Sequence, residues 1–138
     1  MKTITEQNKF IVRRFNKEFI EGGDMNVFEE IIAADFINHT APPGAPKSRE
    51  GVVYFFNHFL KPALGNLTVE ILNQVAEDDT VTTYKIFHAT HSGELMGAAA
   101  TGKQVFIQVM DIIKLRDGKF VEHWNVADWQ GLMMQINS

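Results

Sequence analysis

Two aspartates stand among apolar residues near the end of this chain. Asp111 and Asp128 both lie in the stretch 104–129, QVFIQVMDIIKLRDGKFVEHWNVADW. A carboxylate with apolar neighbours is costly unless it is paired, protonated or directed into a cavity. In a cavity such a group can serve as a general acid or base; elsewhere it is a structural group with its own hydrogen bonds. We therefore take Asp111 and Asp128 as the first candidates for catalytic residues.

The faces on which these aspartates lie follow from a predicted hairpin. Asp117-Gly118 between two apolar runs predicts a type I′ turn, which needs positive φ at both central residues. Pairing outward from that turn divides the side chains between two faces with a period of two. The first face carries Val105, Ile107, Val109, Asp111, Ile113, Leu115, Trp124, Val126 and Asp128. The second carries Phe106, Gln108, Met110, Ile112, His123 and Asn125. Both faces are largely apolar, so we expect both to be covered.

Other residues on or near the hairpin could contact a substrate. The polar candidates are His39, His91, Gln108, His123 and Asn125. They could hold a substrate oxygen or a water, or could instead form a dimer interface or a satisfied core network. The aromatic candidates for a pocket wall are Phe56 and Trp124. Each of these two could equally be ordinary core or helix packing.

Composition and motifs exclude several classes of function. The chain contains no cysteine, so it has neither a disulfide nor a thiolate nucleophile. His88 and His91 would point to opposite faces of a regular strand, and no helical His-x-x-x-His pair is present, so no metal site is expected. The net charge of −4 argues against a nucleic-acid partner or a polybasic membrane contact. No segment is apolar and long enough to span a bilayer, and we expect a cytoplasmic protein.

The elements that position these residues can be predicted along the chain. A length of 138 residues predicts one domain, 1–138. Thr3 and Glu6 have the spacing of a capping box, and Asp24 and Ser48 can cap two further helices. Strand patterns follow at 67–71, 81–91 and through the hairpin, and 131–138 is a short apolar tail. Three helices followed by four long strands predict an α+β fold. Long strands curl, so we expect a cone-shaped sheet with helices at its mouth, enclosing an apolar pocket.

Two segments of the second half resemble a known family. THSGELMGAAATGKQV, at 90–105, resembles the Thr-His-x-Gly … Gly-x-Pro-Pro-Thr-Gly-Lys segment of the SnoaL-like polyketide cyclase and ester cyclase family. RDGKFVEHWNVAD, at 116–128, resembles the family's Arg-x-x-Asp-Gly-Lys-Ile-x-Glu-His-Trp-x-x-x-Asp signature. The likeness extends weakly to 36–39 and to the order of the helices. One departure is Ala98-Ala99-Ala100, where the family often has prolines, so the pocket rim is expected to differ.

The resemblance implies a fold, a chemistry and an assembly. It implies the cone-shaped α+β fold of nuclear transport factor two and ketosteroid isomerase, with a strongly curved, mainly antiparallel sheet, and frequent homo-oligomers. It also implies ring closure by intramolecular aldol condensation, with an aspartate as acid/base and neither metal nor cofactor. Matching the signature places that aspartate at Asp128, whereas a slip of the loop would move the role to Asp111 or onto Asn125.

Three functions remain as hypotheses. The leading one is a cofactor-free enzyme that abstracts a proton next to the carbonyl group of a hydrophobic small molecule. The second is a non-catalytic ligand-binding or dimerisation module, for which a filled cone and a functional outer sheet are expected. An epoxide hydrolase is the third and is disfavoured, because no arginine is predicted beside Asp111 or Asp128. Under all three, we expect a homodimer through the sheet face that three short helices leave uncovered. The expected interface residues are Phe106, Met110, Ile112, Val121, His123 and Asn125.

Overall fold

The computed structural model describes residues 2–138, which form four helices and a five-stranded sheet. The helices are α1 (Ile4–Arg14, continued by the π-helical segment Phe15–Glu21), α2 (Met25–Ile31), α3 (Arg49–Tyr54, continued by the π-helical segment Phe55–Leu60 and the turn Lys61–Ala63) and α4 (Trp129–Ile136). The strands are β1 (Ile32–Asn38), β2 (Leu64–Glu77), β3 (Thr80–His91), β4 (Gln104–Arg116) and β5 (Lys119–Ala127). The predicted α+β class, with three helices before the long strands, is confirmed.

The predicted helix starts are largely confirmed by their caps. The Thr3 side chain accepts from the Glu6 backbone N–H, and the Glu6 carboxylate accepts from the Thr3 N–H, so the capping box is complete. Asp24 accepts from two backbone N–H groups at the start of α2. Ser48 occupies the N-cap position of α3 in extended conformation, but its side chain makes no capping hydrogen bond. The local sequence signals therefore placed all three N-terminal helices.

The strands form one mixed sheet in the order β1-β5-β4-β3-β2. β1 runs parallel to β5, and the other neighbours are antiparallel. We call the face against which α1 packs the inner face, and the opposite one the outer face. Alternate residues of β3 and β4 are buried on the inner face: Val81, Thr83, Lys85, Phe87, Ala89, His91, Val105, Ile107, Val109, Asp111, Ile113 and Leu115. β2 has two register shifts relative to β3, and bulges of this kind bend a strand and increase its local twist.

The hairpin between β4 and β5 has the predicted turn but not the predicted register. Asp117 and Gly118 have φ of 52° and 75°, as a type I′ turn requires. A bulge at Val121 then shifts the pairing by one residue, so that Lys114 pairs with Glu122 and Asp111 with Asn125. Because the side-chain period is two, one extra residue moves the rest of the strand to the other face.

The bulge corrects the two faces predicted for β5. His123 and Asn125 lie on the inner face with Asp111, and Trp124 and Val126 lie on the outer face. The prediction that placed Trp124 with Asp111, and His123 and Asn125 with Gln108, was wrong for this reason. Val121 itself is buried, so it too does not belong to the exposed outer face.

The C-terminal segment is a helix rather than the expected short tail. Asp128 leaves the sheet and is the N-cap of α4, where its carboxylate accepts from the Gly131 backbone N–H at 2.8 Å. It is exposed, so the prediction that it shares a buried face with Asp111 was wrong. Gln135 of α4 bonds both the N–H and the C=O of Phe106, at 2.9 Å each, where β4 extends beyond β5. The helix thereby protects an open strand edge.

Candidate functional site

An ion pair lies buried on the inner face of the sheet. Lys85 of β3 and Asp111 of β4 are 3% and 5% exposed, and Lys85 Nζ lies 2.8 Å from Asp111 Oδ2. The second carboxylate oxygen, Oδ1, is buried and accepts no hydrogen bond from residues 2–138. A buried charge needs a partner, and Lys85 supplies one for half of the carboxylate.

The first π-helical segment brings a third polar side chain to this pair. Asn16 is 2% exposed, and its Oδ1 accepts from Lys85 Nζ at 2.7 Å. Its amide donates to the carbonyl oxygen of Val12 at 2.8 Å. The same carbonyl oxygen also accepts from the Phe15 backbone N–H, at the junction of α1 with its π-helical segment. Lys85 therefore contacts two oxygens and lies 5.3 Å from the centre of the Phe87 ring.

Lys85 and Asn16 were not among the sequence candidates. Lys85 is an even number of residues from Val81, Phe87 and Ala89, so strand alternation places it on the same apolar face. This spacing was the signal in the sequence that could have identified it. Asn16 follows Phe15 in a helix with regular apolar spacing. The direction in which the Asn16 side chain points depends on the π-helical segment. No local pattern in the sequence indicated that segment.

His123 of β5 lies beside the ion pair on the same face. Its Nδ1 is 3.2 Å from Oδ1 of Asn38, at the end of β1, and its ring stacks on Phe36 with centroids 6.4 Å apart. Burial lowers the pKa of His123 from 6.5 to about 4; the Asp111 carboxylate opposes this and the Lys85 ammonium adds to it. The imidazole is therefore neutral near pH 7.

Asn125 is directly opposite Asp111 in the β4–β5 ladder. Its Oδ1 accepts from the hydroxyl of Thr40 at 2.9 Å, and the same hydroxyl accepts from the Asn125 backbone N–H at 2.9 Å. The side-chain amide nitrogen Nδ2 makes no hydrogen bond within residues 2–138. The inner face thus presents a free acceptor at Asp111 and a free donor at Asn125, on neighbouring strands.

Aromatic residues of α3 and α4 pack together beside this face. Trp129, the first residue of α4, lies 6.3 Å from Phe55 and 6.1 Å from Phe59 between ring centroids, in edge-to-face geometry. All three rings are partly exposed, whereas Phe56 is buried against Phe19 and Phe87. We call Phe55, Phe59 and Trp129 the aromatic cluster. Phe56, predicted as pocket wall, belongs to the core.

Two clefts of the described chain lie away from the ion pair. One, of about 360 Å³, is lined by Asp35, Ile37, Asp79, Lys114, Leu115, Arg116, Val121 and Glu122. The other, of about 200 Å³, is lined by Glu21, Lys61, Leu64, Gly65, Asn66 and Leu67. Neither is lined by Asp111, His123 or Asn125. The expected apolar pocket with a carboxylate at its base is therefore not one of these clefts, and side chains pack closely around Asp111.

His91 is on the inner face but far along the strand from Asp111. Asp111 pairs with Thr83, and His91 lies eight residues further along β3, which is roughly 26 Å of strand. The ring is fully buried, and its Nδ1 accepts from the Thr101 backbone N–H at 3.3 Å. The structure does not bring His91 and Asp111 into one site.

Three other predicted residues lie on the outer face. Gln108 accepts from the Tyr84 hydroxyl at 2.7 Å, on the face opposite to Asp111. His39 stacks on Trp124 with ring centroids 4.6 Å apart, and its Nε2 lies 2.8 Å from Glu122. These side chains do not meet His123 or Asn125. Their position follows from the strand alternation and from the bulge at Val121.

The arginine side chains of the described chain bond partners other than Asp111. Arg13 bonds Gln74, and Arg14 bonds Glu18 and Glu30. Arg49 bonds Glu29, and Arg116 bonds Asp35. The cation at Asp111 is thus a lysine, unlike the Asp-Arg-Asp arrangement that an epoxide hydrolase needs. Within residues 2–138 no three His, Asp or Glu side chains cluster as metal ligands. No helix in this part of the chain has the length and hydropathy to cross a membrane.

The lowered pKa of His123 predicts a pH-dependent stability. The unfolded chain takes up this proton near pH 6.5, but the folded chain does so only near pH 4. The free energy of unfolding therefore falls as pH falls from about 6.5 to 4, by about 2–3 kcal/mol from this residue. His123→Gln should lose that part of the dependence, whereas His58→Gln, at an exposed site, should keep it. Thermal melts between pH 4 and 7 test this; parallel profiles for wild type and His123→Gln would contradict it.

Comparisons with known proteins agree on one family. The model of the SnoaL-like polyketide cyclase family matches residues 10–136. IdmH from Streptomyces antibioticus, provisionally named a polyketide cyclase, is 28% identical with a TM-score of 0.86, over 96% of this chain and 99% of that one. A provisionally named SnoaL-like polyketide cyclase from Jannaschia sp. CCS1 is 24% identical with a TM-score of 0.83, over 100% and 96%. AclR from Streptomyces galilaeus, provisionally named a hydroxylase, has the same fold. It is 23% identical with a TM-score of 0.83, over 96% of this chain and 97% of that one. No curated protein matches the sequence.

Proposed function

Because the chain belongs to the SnoaL-like polyketide cyclase family, we propose that it is a cofactor-free enzyme acting on a hydrophobic, carbonyl-bearing small molecule. The observation that carries this proposal is that a free acceptor on β4 and a free donor on β5 lie on residues directly opposite each other in the ladder. Asp111 Oδ1 is a free acceptor, and Asn125 Nδ2 is a free donor. Enolisation of a carbonyl compound needs both, a base for the α-carbon proton and a donor for the oxygen.

The proposed reaction begins with proton transfer to Asp111. Oδ1 takes a proton from the carbon next to the carbonyl group, and the electron pair of that C–H bond forms the enolate. Asn125 Nδ2 donates to the enolate oxygen as negative charge develops there. In an aldol closure the enolate carbon then attacks a second carbonyl of the same molecule, and the new alkoxide takes back the proton from Asp111. In an isomerisation the proton returns to another carbon.

Lys85 and Asn16 are positioning residues in this proposal. Lys85 holds Oδ2 at 2.8 Å, and Asn16 holds Lys85 at 2.7 Å, so the carboxylate is fixed with Oδ1 free. Locked rotamers of this kind keep a base within the narrow geometry that proton transfer needs. Asp128, to which the family signature first pointed, has a different part here: it caps α4 and so orients Trp129.

The aromatic cluster is the proposed entrance. Trp129 makes edge contacts with Phe55 and Phe59, and these two rings stack on each other with centroids 5.4 Å apart. Hydrogen bonds do not join the three rings, so side-chain rotation can separate them. Rotations of partly exposed side chains take place far faster than a typical turnover. A ligand of aromatic character would replace these contacts with its own rings.

Binding of β-tetralone, a bicyclic ketone with acidic α-protons, tests the proposal. The chain has two tryptophans, so Trp124→Phe leaves Trp129 as the only tryptophan. Titration with β-tetralone should then quench or shift its fluorescence to saturation. Phe55→Ala at the entrance should weaken binding by about tenfold, and Tyr54→Ala, one residue earlier and exposed, should not. No saturable change up to the solubility limit of the ketone would contradict the proposal.

A second function, a non-catalytic binding or dimerisation module, is favoured by one observation. Asp111 lines neither of the two clefts described above and is 5% exposed, so the inner face around it is packed. A filled cone is what such a module requires. The two functions differ in their response to β-tetralone in deuterated water, because the module would leave the α-protons unexchanged.

We also propose that the protein is a homodimer through the outer face. Met110 and Val126 pair across β4 and β5 and are 54% and 76% exposed, and Phe106 and Ile112 extend this apolar patch. The five strands contain 7, 14, 12, 13 and 9 residues. At about 4.8 Å between strands and about 3.3 Å per residue, one face of the sheet presents roughly 900 Å². A standard interface buries about 800 Å² per partner, so two sheets packed back to back suffice.

Met110→Lys should weaken this dimer. A two-fold axis brings each introduced charge near its symmetry mate in a desolvated patch, so the dissociation constant should rise by at least about tenfold. Tyr54→Lys on α3, at an exposed position remote from the patch, is the matched control. Sedimentation equilibrium measures both. A wild-type monomer at micromolar concentration, or a dimer broken by Tyr54→Lys instead, would contradict the proposed interface.

A further inference from the structure

The hydrogen position on His123 is fixed by its neighbour on β1. Nδ1 lies 3.2 Å from Asn38 Oδ1. That oxygen also accepts the backbone N–H of Thr40 at 3.2 Å, so it is an acceptor and Nδ1 carries the hydrogen. In a neutral imidazole, a hydrogen on Nδ1 leaves a lone pair on Nε2. Nε2 is therefore an acceptor, and it makes no hydrogen bond within residues 2–138.

The surroundings of the ring keep it in this state. Phe36 covers one side of the imidazole, and the Lys85 ammonium stands on the same face of the sheet. Burial and this cation both lower the pKa of His123. The ring therefore offers a lone pair, and no second N–H, to anything bound over the inner face near pH 7.

We infer that the substrate carries a hydroxyl group that donates a hydrogen bond to His123 Nε2, and this assignment rests on the function proposed above. A carbonyl or ether oxygen at the same place would face Nε2 with its own lone pair and no hydrogen between the two atoms. A hydroxyl is complementary, whereas a bound ketone without one would cover this acceptor and leave it unpaired in the complex. His123 is thus a specificity-determining residue for hydroxylated carbonyl compounds.

The ladder also constrains where that hydroxyl lies in the substrate. His123 and Asn125 are two residues apart on one face of β5, which is roughly 7 Å. The carbonyl oxygen at Asn125 and the hydroxyl at His123 are therefore separated by about the span of two fused six-membered rings. A bicyclic or larger aromatic ketone with a phenolic hydroxyl on the ring remote from its carbonyl fits this spacing.

Matched ketones test the inference. β-Tetralones with a hydroxyl on the aromatic ring are compared with their methyl ethers, which keep the carbonyl and the oxygen but cannot donate. The wild type should bind the best hydroxy compound at least about tenfold more tightly than its ether, by calorimetry at pH 7. His123→Phe keeps an aromatic ring against Phe36 and should reduce the preference to within about twofold. Asn38→Leu releases the Nδ1 hydrogen bond and should reduce it as well, whereas His88→Gln on the outer face should not.

The outcomes separate this inference from the proposed function. Equal binding of hydroxy compounds and ethers, with binding of the parent β-tetralone intact, would overturn the inference and leave the proposed function standing. A preference that survives in both His123→Phe and Asn38→Leu would also overturn it. If the parent β-tetralone and all its derivatives fail to bind, both fail together.

Discussion

Lys85→Met is expected to destabilise the fold by about 3–5 kcal/mol, because it leaves the Asp111 carboxylate buried without its cation. Lys85 and Asp111 are both nearly inaccessible and lie 2.8 Å apart, so solvent cannot replace the lost partner. For a chain of this size that loss lowers Tm by roughly 10 °C or more. Denaturant unfolding and thermal melts measure it directly.

Two matched variants separate the buried pair from a general effect of losing a lysine. Lys85→Met combined with Asp111→Leu removes both charges and should recover most of the stability, since an apolar pair can replace a buried ion pair. Arg116→Met breaks the exposed bond to Asp35 and should cost less than about 1 kcal/mol. If Lys85→Met costs no more than Arg116→Met, the buried pair is not the main electrostatic contact of the inner face.

Asp111→Asn is expected to lower the rate of α-proton exchange by about 10²–10⁴, the usual contribution of a general base. The amide keeps the shape of the carboxylate but cannot take the proton. It also leaves Lys85 unpaired, so the same change is repeated in the Lys85→Met background, where no buried charge remains. Both versions are checked for folding by circular dichroism before exchange is measured. If Asp111→Asn lowers the exchange rate in the wild-type background but not in the Lys85→Met background, the loss comes from misfolding rather than from a missing base.

Much of the fold was predictable because its signals are local. The capping box at Thr3 and the positive φ required at Asp117-Gly118 each depend on a few neighbouring residues, and both are confirmed. Alternation in β4 also placed Asp111 on a buried face, and that face is the inner one. These features need no knowledge of the rest of the chain.

The part of the site that lies on β5 was not predictable in the same way. After Val121 the sequence runs Glu-His-Trp-Asn-Val-Ala. Each of its two alternating sets of residues contains both polar and apolar side chains, so the pattern does not show which set faces inward. One bulge residue decides it. The N-cap role of Asp128 was open to prediction, because aspartate is a favoured cap, but the family signature drew attention to chemistry instead.

The most direct test of the account compares Asp111→Asn with Asp128→Asn in one assay. Deuterium incorporation next to the carbonyl of β-tetralone is followed by NMR in deuterated buffer, with wild type and buffer alone as references. Asparagine also caps helices well, so Asp128→Asn should exchange at close to the wild-type rate, whereas Asp111→Asn should approach the rate in buffer. If Asp128→Asn loses exchange and Asp111→Asn keeps it, the base is at the cap of α4 and the assignment to the inner face is wrong.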